Sequence, residues 1–139
     1  MKSDKLSSAA PLYNGLTLAY IGDAVYELYV RLHLLERGQT KPHPMHQMAL
    51  SYVSARAQAE VLRKWIEDGV LKEDELAIVK RGRNAKLRSV PKHTDLATYR
   101  LSTAFECLIG YLYLTNRLER LNQLIHQAYL LVEGNETEG

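Results

Sequence analysis

Leu18-Ala19-Tyr20-Ile21-Gly22-Asp23-Ala24-Val25-Tyr26-Glu27 is the stretch on which the fold turns. It sits inside a periodic run, Leu12 to Arg37, closed by Gly38. Leu18, Ile21, Val25, Leu28, Leu32 and Leu35 recur three and four apart, which is one apolar seam of a helix. At about 100° per residue, Asp23 falls nearly opposite that seam, beside Leu16, Ala19, Val30 and Leu34. A helix apolar on both sides is expected to be buried on both, either central in a bundle or at a dimer contact. Asp23 is thus an acid where the pattern expects none.

A buried carboxylate is costly unless it is hydrogen-bonded, ion-paired or bound to metal. Gly22 beside it costs a helix roughly 1 kcal/mol relative to alanine, which points to close approach by another backbone or a ligand. Glu27 stands one turn on. Pairing of Asp23 and Glu27 with arginines such as Arg31 satisfies this pattern as well as a metal does. A second stretch repeats the anomaly. Ala97, Leu101, Ala104, Phe105, Leu108 and Leu112 form the seam of a helix from Asp95 to Asn116, with Thr94 or Asp95 as its cap. Glu106 projects from the other side, among Tyr99, Ser102, Gly110 and Tyr113. Two such helices can meet to form a carboxylate metal site or a pair of cross-bundle ion pairs, and the pattern alone leaves both open. Magnesium suits the first, because it takes few carboxylates, keeps waters and bridges to phosphate oxygens.

Working outward, breakers divide the rest of the chain into helices. Pro42 and Pro44 forbid helix around them, Met45 to Asp68 reads as one helix ending at Gly69, and Glu73 to Lys80 as a shorter one ending near Gly82. Leu118, Leu121, Leu124, Ile125, Ala128 and Leu131 make a last amphipathic helix. Few segments alternate with period two, so the expectation is an all-α bundle. The 139 residues suit one domain, placed at 12–133 between flexible ends at 1–11 and 134–139. No apolar run approaches the roughly 20 residues that cross a bilayer, and the polar start does not read as a signal peptide. Cys107 stands alone in an apolar run, so a disulfide within the chain and a zinc cluster are both excluded, and it reads as a packed core thiol. These features together point to a cytoplasmic protein without membrane partners.

Net charge is only +2, but its distribution is uneven. Glu67, Asp68, Glu73, Asp74 and Glu75 form an acidic patch. Between Ala77 and Thr94 there follow six basic residues and no acid: Lys80, Arg81, Arg83, Lys86, Arg88 and Lys92. With Asn84 among them, they form a candidate RNA-binding loop in which cations neutralise phosphates and binding falls with salt. A merely solvated basic loop is the plain alternative. Lys41, His43 and His46 form a weaker cluster of the same kind.

The run from Leu18 to Glu27 resembles the signature of the ribonuclease III family, Leu-Gly-Asp-Ala-Val-Leu-Glu. Ser102-Thr103-Ala104-Phe105-Glu106-Cys107-Leu108-Ile109-Gly110-Tyr111-Leu112-Tyr113-Leu114 is similar to that family's second motif, Val-Glu-Ala-Leu-Ile-Gly with an aromatic-leucine tail. Lys80-Arg81-Gly82-Arg83-Asn84-Ala85-Lys86 resembles the Mini-ribonuclease III subgroup, which lacks the usual double-stranded-RNA-binding domain. The resemblance covers about residues 13–130. It implies a ribonuclease III helical bundle that works as a homodimer and cuts double-stranded RNA with Mg²⁺, or Mn²⁺ in its place. Each subunit's site would cut one strand and leave 5′-phosphate ends. The implied substrate is the large-subunit (23S) ribosomal RNA precursor, free or in the pre-ribosomal subunit. Asp23 matches the signature aspartate, Glu106 the catalytic metal-binding glutamate, and Glu27 a structural glutamate.

The pattern departs from the larger family at three positions. Leu16 and Ala19 stand where that family has further acids, and Thr103 where it has an aspartate. Thr103 or a backbone carbonyl is then a candidate neutral ligand. Asp95 shares Glu106's face but lies about 16 Å along an ideal helix, too far to share a metal. The missing acids also motivate a second reading, a non-catalytic RNA-binding ribosome-assembly factor. The doubly apolar first helix motivates a third, a helical dimerisation module.

Overall fold

The computed structural model describes residues 3–87 and 89–138, the last four of these as backbone. Every regular element among the described residues is helical: α1 (Asp4–Ala9), a 3₁₀ turn (Ala10–Leu12), α2 (Gly15–Glu36), α3 (Pro42–Val53), α4 (Ala55–Glu67), α5 (Glu73–Arg83), α6 (Leu96–Leu114) and α7 (Leu118–Glu138). Polar side chains start α1, α2, α4 and α6 by accepting amides left free in the first turn. Asn14 accepts from the Thr17 amide at 2.9 Å, and Asp95 from the Thr98 amide at 2.8 Å. Gly38 and Gly69 stop α2 and α4 where expected, with φ of 93° and 66°.

Between Gly38 and Gly69 the expected single helix is two. Pro42 and Pro44 open α3 instead of forbidding it, since a first turn has no use for their missing N–H groups. Ser54 then leaves the helical region, at ψ 154°, and its hydroxyl accepts from the Ala57 amide at 3.2 Å to start α4. The shorter helix also runs further, so Lys80, Arg81 and Arg83 lie in the last turn of α5 and not in a loop. Cations there favour the negative end of the helix dipole. Residues 4–9, expected as a flexible end, form α1, and the Ala10 that follows is buried.

The long helix α6 is the axis of the molecule. It packs against α2, α4, α5 and α7, and from Ser102 to Leu112 only Glu106 is not buried. Phe105 joins three elements, lying edge-on to Tyr26 of α2 at 4.8 Å and stacked with Trp65 of α4 at 5.6 Å. Cys107 is a core thiol as expected, and burial pushes its pKa up to about 12.

The expected seam of α2 divides differently. Leu18 and Val25 are buried, but Leu28, Leu32 and Leu35 are 47–56% exposed, whereas Ala19, Val30 and Leu34 are buried. Tyr20, at 80%, and Leu16 extend the bare side. One apolar arc of α2 faces the core and the other faces outward. Both satisfy helical spacing, so the pattern could not say which was which.

The acidic patch is also not uniformly solvated. Glu75 is 1% exposed, and the Arg120 guanidinium grips both its oxygens at 2.8 Å while donating to the Val70 carbonyl. Its other contact is the Lys72 amide at 2.8 Å. Asp74 pairs with Arg117. These contacts dock α5 onto the start of α7.

Candidate active site

The site is created by two glycines. A Cβ on Gly22 would overlap the Glu106 carbonyl oxygen and come within 2.9 Å of the Gly110 nitrogen. A Cβ on Gly110 would overlap the Leu18 carbonyl oxygen and reach within 3.0 Å of the Gly22 nitrogen. Helices α2 and α6 therefore cross backbone to backbone, closer than any side chain allows. Asp23, next in sequence to Gly22, is thrown against Glu106, four residues before Gly110.

At this crossing the two carboxyls are close enough to hydrogen-bond to each other. Burial first, then the facing Asp23 and the charge of Glu27, together push the Glu106 carboxyl up to about 9. Without a cation beside it, this placement favours the protonated form of Glu106. Asp23 itself is exposed, at the edge of the buried arc of α2, and not enclosed on all sides as its surroundings in sequence suggested. Arg31 pairs with Glu27 at 3.3 Å, four residues along the same helix. Among the described residues neither Asp23 nor Glu106 has a lysine or arginine partner, so the ion-pair alternative holds for Glu27 alone.

A third residue stands at the pair. Gln58, in the first turns of α4, is 2% exposed and acts on Glu106 in the direction that favours the carboxylate. Sequence reasoning passed over it, although a signal was present. Gln58, Leu62 and Trp65 fall on the buried seam of α4, and an amide in such a seam is as anomalous as an acid. Thr103, the expected neutral ligand, is buried and donates its hydroxyl to the Tyr99 carbonyl at 3.0 Å.

The donor set fits a magnesium-like ion. Such ions take one or two carboxylates, keep several waters and leave room for phosphate oxygens. Asp23 and Glu106 supply two carboxyls without a competing cation, one of them open to solvent. No cluster of three or more histidine, cysteine, aspartate or glutamate side chains suited to a metal occurs among the described residues, which argues against a closed structural site. Asp23 and Glu106 would hold the ion.

The basic residues gather at the end of α5 and in the loop after it, where α5 meets the same two helices. Gly15 of α2 meets the backbone of Arg81 and Gly82, and Gly82 meets Ala104 of α6. From Gly15 to Gly22 is seven residues, about 10 Å along α2. The end of α5 therefore lies two helical turns from the acid pair. There Lys80, Arg83 and Asn84 line a hollow of about 610 Å³ with Leu76 and Arg100. Arg81, Asn84 and Lys86 line a cleft of about 950 Å³ with Tyr13, Asn14 and Tyr20. Arg81 also has a structural task, donating to the Pro11 carbonyl at 2.7 Å and the Tyr13 carbonyl at 3.0 Å. Lys86 and Lys92 are exposed in the α5–α6 loop, and Arg88 lies outside the described residues. In the weaker cluster, His46 shares a hollow with Glu27 and Arg31, while Lys41 and His43 are solvent-exposed.

Fold and site together define an all-helical protein with a two-carboxylate site of the kind that takes a divalent cation. The sequence matches the model of the ribonuclease III domain over residues 16–117. It is 51% identical over 113 residues to the Mini-ribonuclease 3 of Enterococcus faecalis, spanning 81% of this chain and 86% of that one. The Mini-ribonuclease 3 of Brevibacillus brevis is 48% identical, with 96% and 98% covered. Among solved structures, the crystal structure of protein FN1578 from Fusobacterium nucleatum superposes with a TM-score of 0.75 at 32% identity. That match covers 88% of this chain and 94% of that one. The chain belongs to the ribonuclease III family. Members of that family are endoribonucleases that act on double-stranded RNA and generally depend on a divalent metal ion. No helix among the described residues is long and apolar enough to cross a membrane.

Proposed function

We propose that this chain is a cytoplasmic, Mg²⁺-dependent endoribonuclease that cuts double-stranded RNA with Asp23 and Glu106, Mn²⁺ serving in place of Mg²⁺. The observation that carries this reading is the meeting of the two carboxyls at the Gly22–Gly110 crossing, in a chain of the ribonuclease III family. Asp23 and Glu106 would hold the ion, which would supply an activated water and charge neutralisation at the phosphate, so that hydrolysis would leave a 5′-phosphate on one product and a 3′-hydroxyl on the other. The protein's part is to hold two acids rigidly at one edge of the core, with Asp23 open to the substrate. Lys80, Arg81, Arg83, Asn84, Lys86, Arg88 and Lys92 supply the phosphate contacts, and the position of the α5 end about 10 Å along α2 supports that role. Double-stranded RNA is read mainly by shape across its minor groove, which suits phosphate contacts from the basic end of α5.

The bare arc of α2 supports a homodimer, since Leu28, Leu32 and Leu35 with Tyr20 and Leu16 leave one long apolar face uncovered. The substrate proposed is the paired ends of the large-subunit ribosomal RNA precursor, as the resemblance of the sequence motifs to Mini-ribonuclease III implies. The test is to incubate the protein with a long RNA duplex, with and without Mg²⁺, beside Asp23→Asn and Glu106→Gln. Cleavage by the wild type alone, and only with Mg²⁺, is expected, with each variant slowed at least a hundredfold (about 2.7 kcal/mol of barrier). An intact duplex at low salt would leave RNA binding without catalysis as the function. Unimpaired cutting by either variant would move the site elsewhere.

A further inference from the structure

Three buried polar side-chain atoms lack a hydrogen-bond partner among the described residues: Tyr26 Oη, Trp65 Nε1 and Gln58 Nε2. The first two belong to rings packed on Phe105, whose large apolar area accounts for their burial. Gln58 has no such reason. Its side chain carries little apolar surface, and an unpaired buried amide costs about 1–3 kcal/mol. Leucine or methionine would fill the same seam position of α4 without that cost. What distinguishes Gln58 is its neighbour, because its carboxamide bears on the Glu106 carboxyl at the α2–α6 crossing.

From this placement we infer that Gln58 is a positioning residue for the metal site: with the ion bound, its unpaired amide N–H turns onto one Glu106 oxygen and so aims the other at the cation held with Asp23. The inference rests on the proposed role of Glu106 as a metal ligand. A carboxylate held by one fixed donor loses the freedom to rotate about its last bond and needs less ordering when the ion arrives. Gln58 is suited to this task in three ways. It is neutral, so it adds no charge to an already acidic site. It is held by α4, a helix packed directly on α6, so its amide moves with the core. It is enclosed, so water does not compete for its N–H. Groups that orient a ligand in this manner typically change metal affinity or activity by about 10–100-fold when removed.

Gln58→Leu and Gln58→Met both fill the space and remove the donor. Each is compared with the wild type and Glu106→Gln in three measurements: thermal unfolding, Mn²⁺ binding followed by the free-ion resonance signal, and cleavage rate against Mg²⁺ concentration. The expected result is an unchanged or higher Tm, a Kd for Mn²⁺ raised about tenfold or more, and a matching rise in the Mg²⁺ midpoint. Excess Mg²⁺ restores much of the rate, which it would not do for damage to the fold. Wild-type Mn²⁺ affinity and Mg²⁺ midpoint in either folded variant would overturn the inference. Failure of both variants to fold would do the same, making Gln58 a structural residue. Glu106→Gln separates the two levels. If it loses Mn²⁺ while the Gln58 variants keep it, only Gln58 is misassigned. If it binds Mn²⁺ like the wild type, the Glu106 reading falls and Gln58 with it.

Discussion

Gly22 shows at the scale of one residue how fold and chemistry are joined. Its missing Cβ lets α2 touch α6, and the same contact sets Asp23 against Glu106. Gly22→Ala places a methyl group on the Glu106 carbonyl, in rigid backbone that cannot move aside. We expect a loss of about 3 kcal/mol in urea unfolding. Gly134→Ala, inside α7 with nothing within 4 Å, should cost nothing and add up to about 1 kcal/mol. Glu106 sets a second prediction, for protein kept in EDTA. Its folded carboxyl keeps its proton up to about 9, whereas the unfolded one releases it near 4.5. Between those values the folded state binds the extra proton, so stability falls as pH rises through the window. Glu106→Gln should remove that slope, and an unchanged slope would show the carboxyl is not buried against Asp23. Both acids were legible in the sequence as charges in apolar helices. Gln58 was not, because a neutral amide raises no alarm until burial is known.

Among elements, α5 carries both a buried ion pair and the basic ridge. Burial pushes the Glu75 carboxyl up, but the Arg120 fork and the Lys72 amide outweigh it and hold the group below its usual range. A depressed carboxyl contributes stability above its unfolded pKa, and that contribution is lost as pH falls through the folded value. Glu75→Gln leaves the largely buried Arg120 without its counter-charge, and should cost about 3 kcal/mol near neutral pH. The gap to wild type should narrow on acidification, as denaturant titrations across the acidic range will show. At the other end of α5, alanine at Lys80, Arg83 and Lys86 should each lower the salt slope of RNA binding by about one. Unchanged slopes would return these residues to their role at the helix terminus. The sequence showed helices α2, α6 and α7 clearly, since length and periodicity are strong there. It hid the break at Ser54, because one serine between two apolar helices signals a cap only once the chain is seen to turn.

For the whole molecule, the open question in the sequence was which apolar face of α2 points inward. Both faces have helical spacing, and only the partners α5 and α6, reached through Gly15 and Gly22, decide it. The remaining face is the proposed dimer contact. Leu28→Lys with Leu32→Glu should give a folded monomer by sedimentation, with helix content unchanged. A dimer of wild-type affinity would place the contact elsewhere. The backbone crossing also governs how strain from that contact reaches the acids. If α2 tilts, it pivots where it is pinned, at Gly22. Leu32 lies ten residues away, about 15 Å along the axis, and the Asp23 Cα only one residue, about 1.5 Å. A tilt that carries Leu32 through one ångström thus shifts the Asp23 backbone by roughly a tenth of that. The acid pair stands at the fulcrum of its own helix, where leverage from the far end is least.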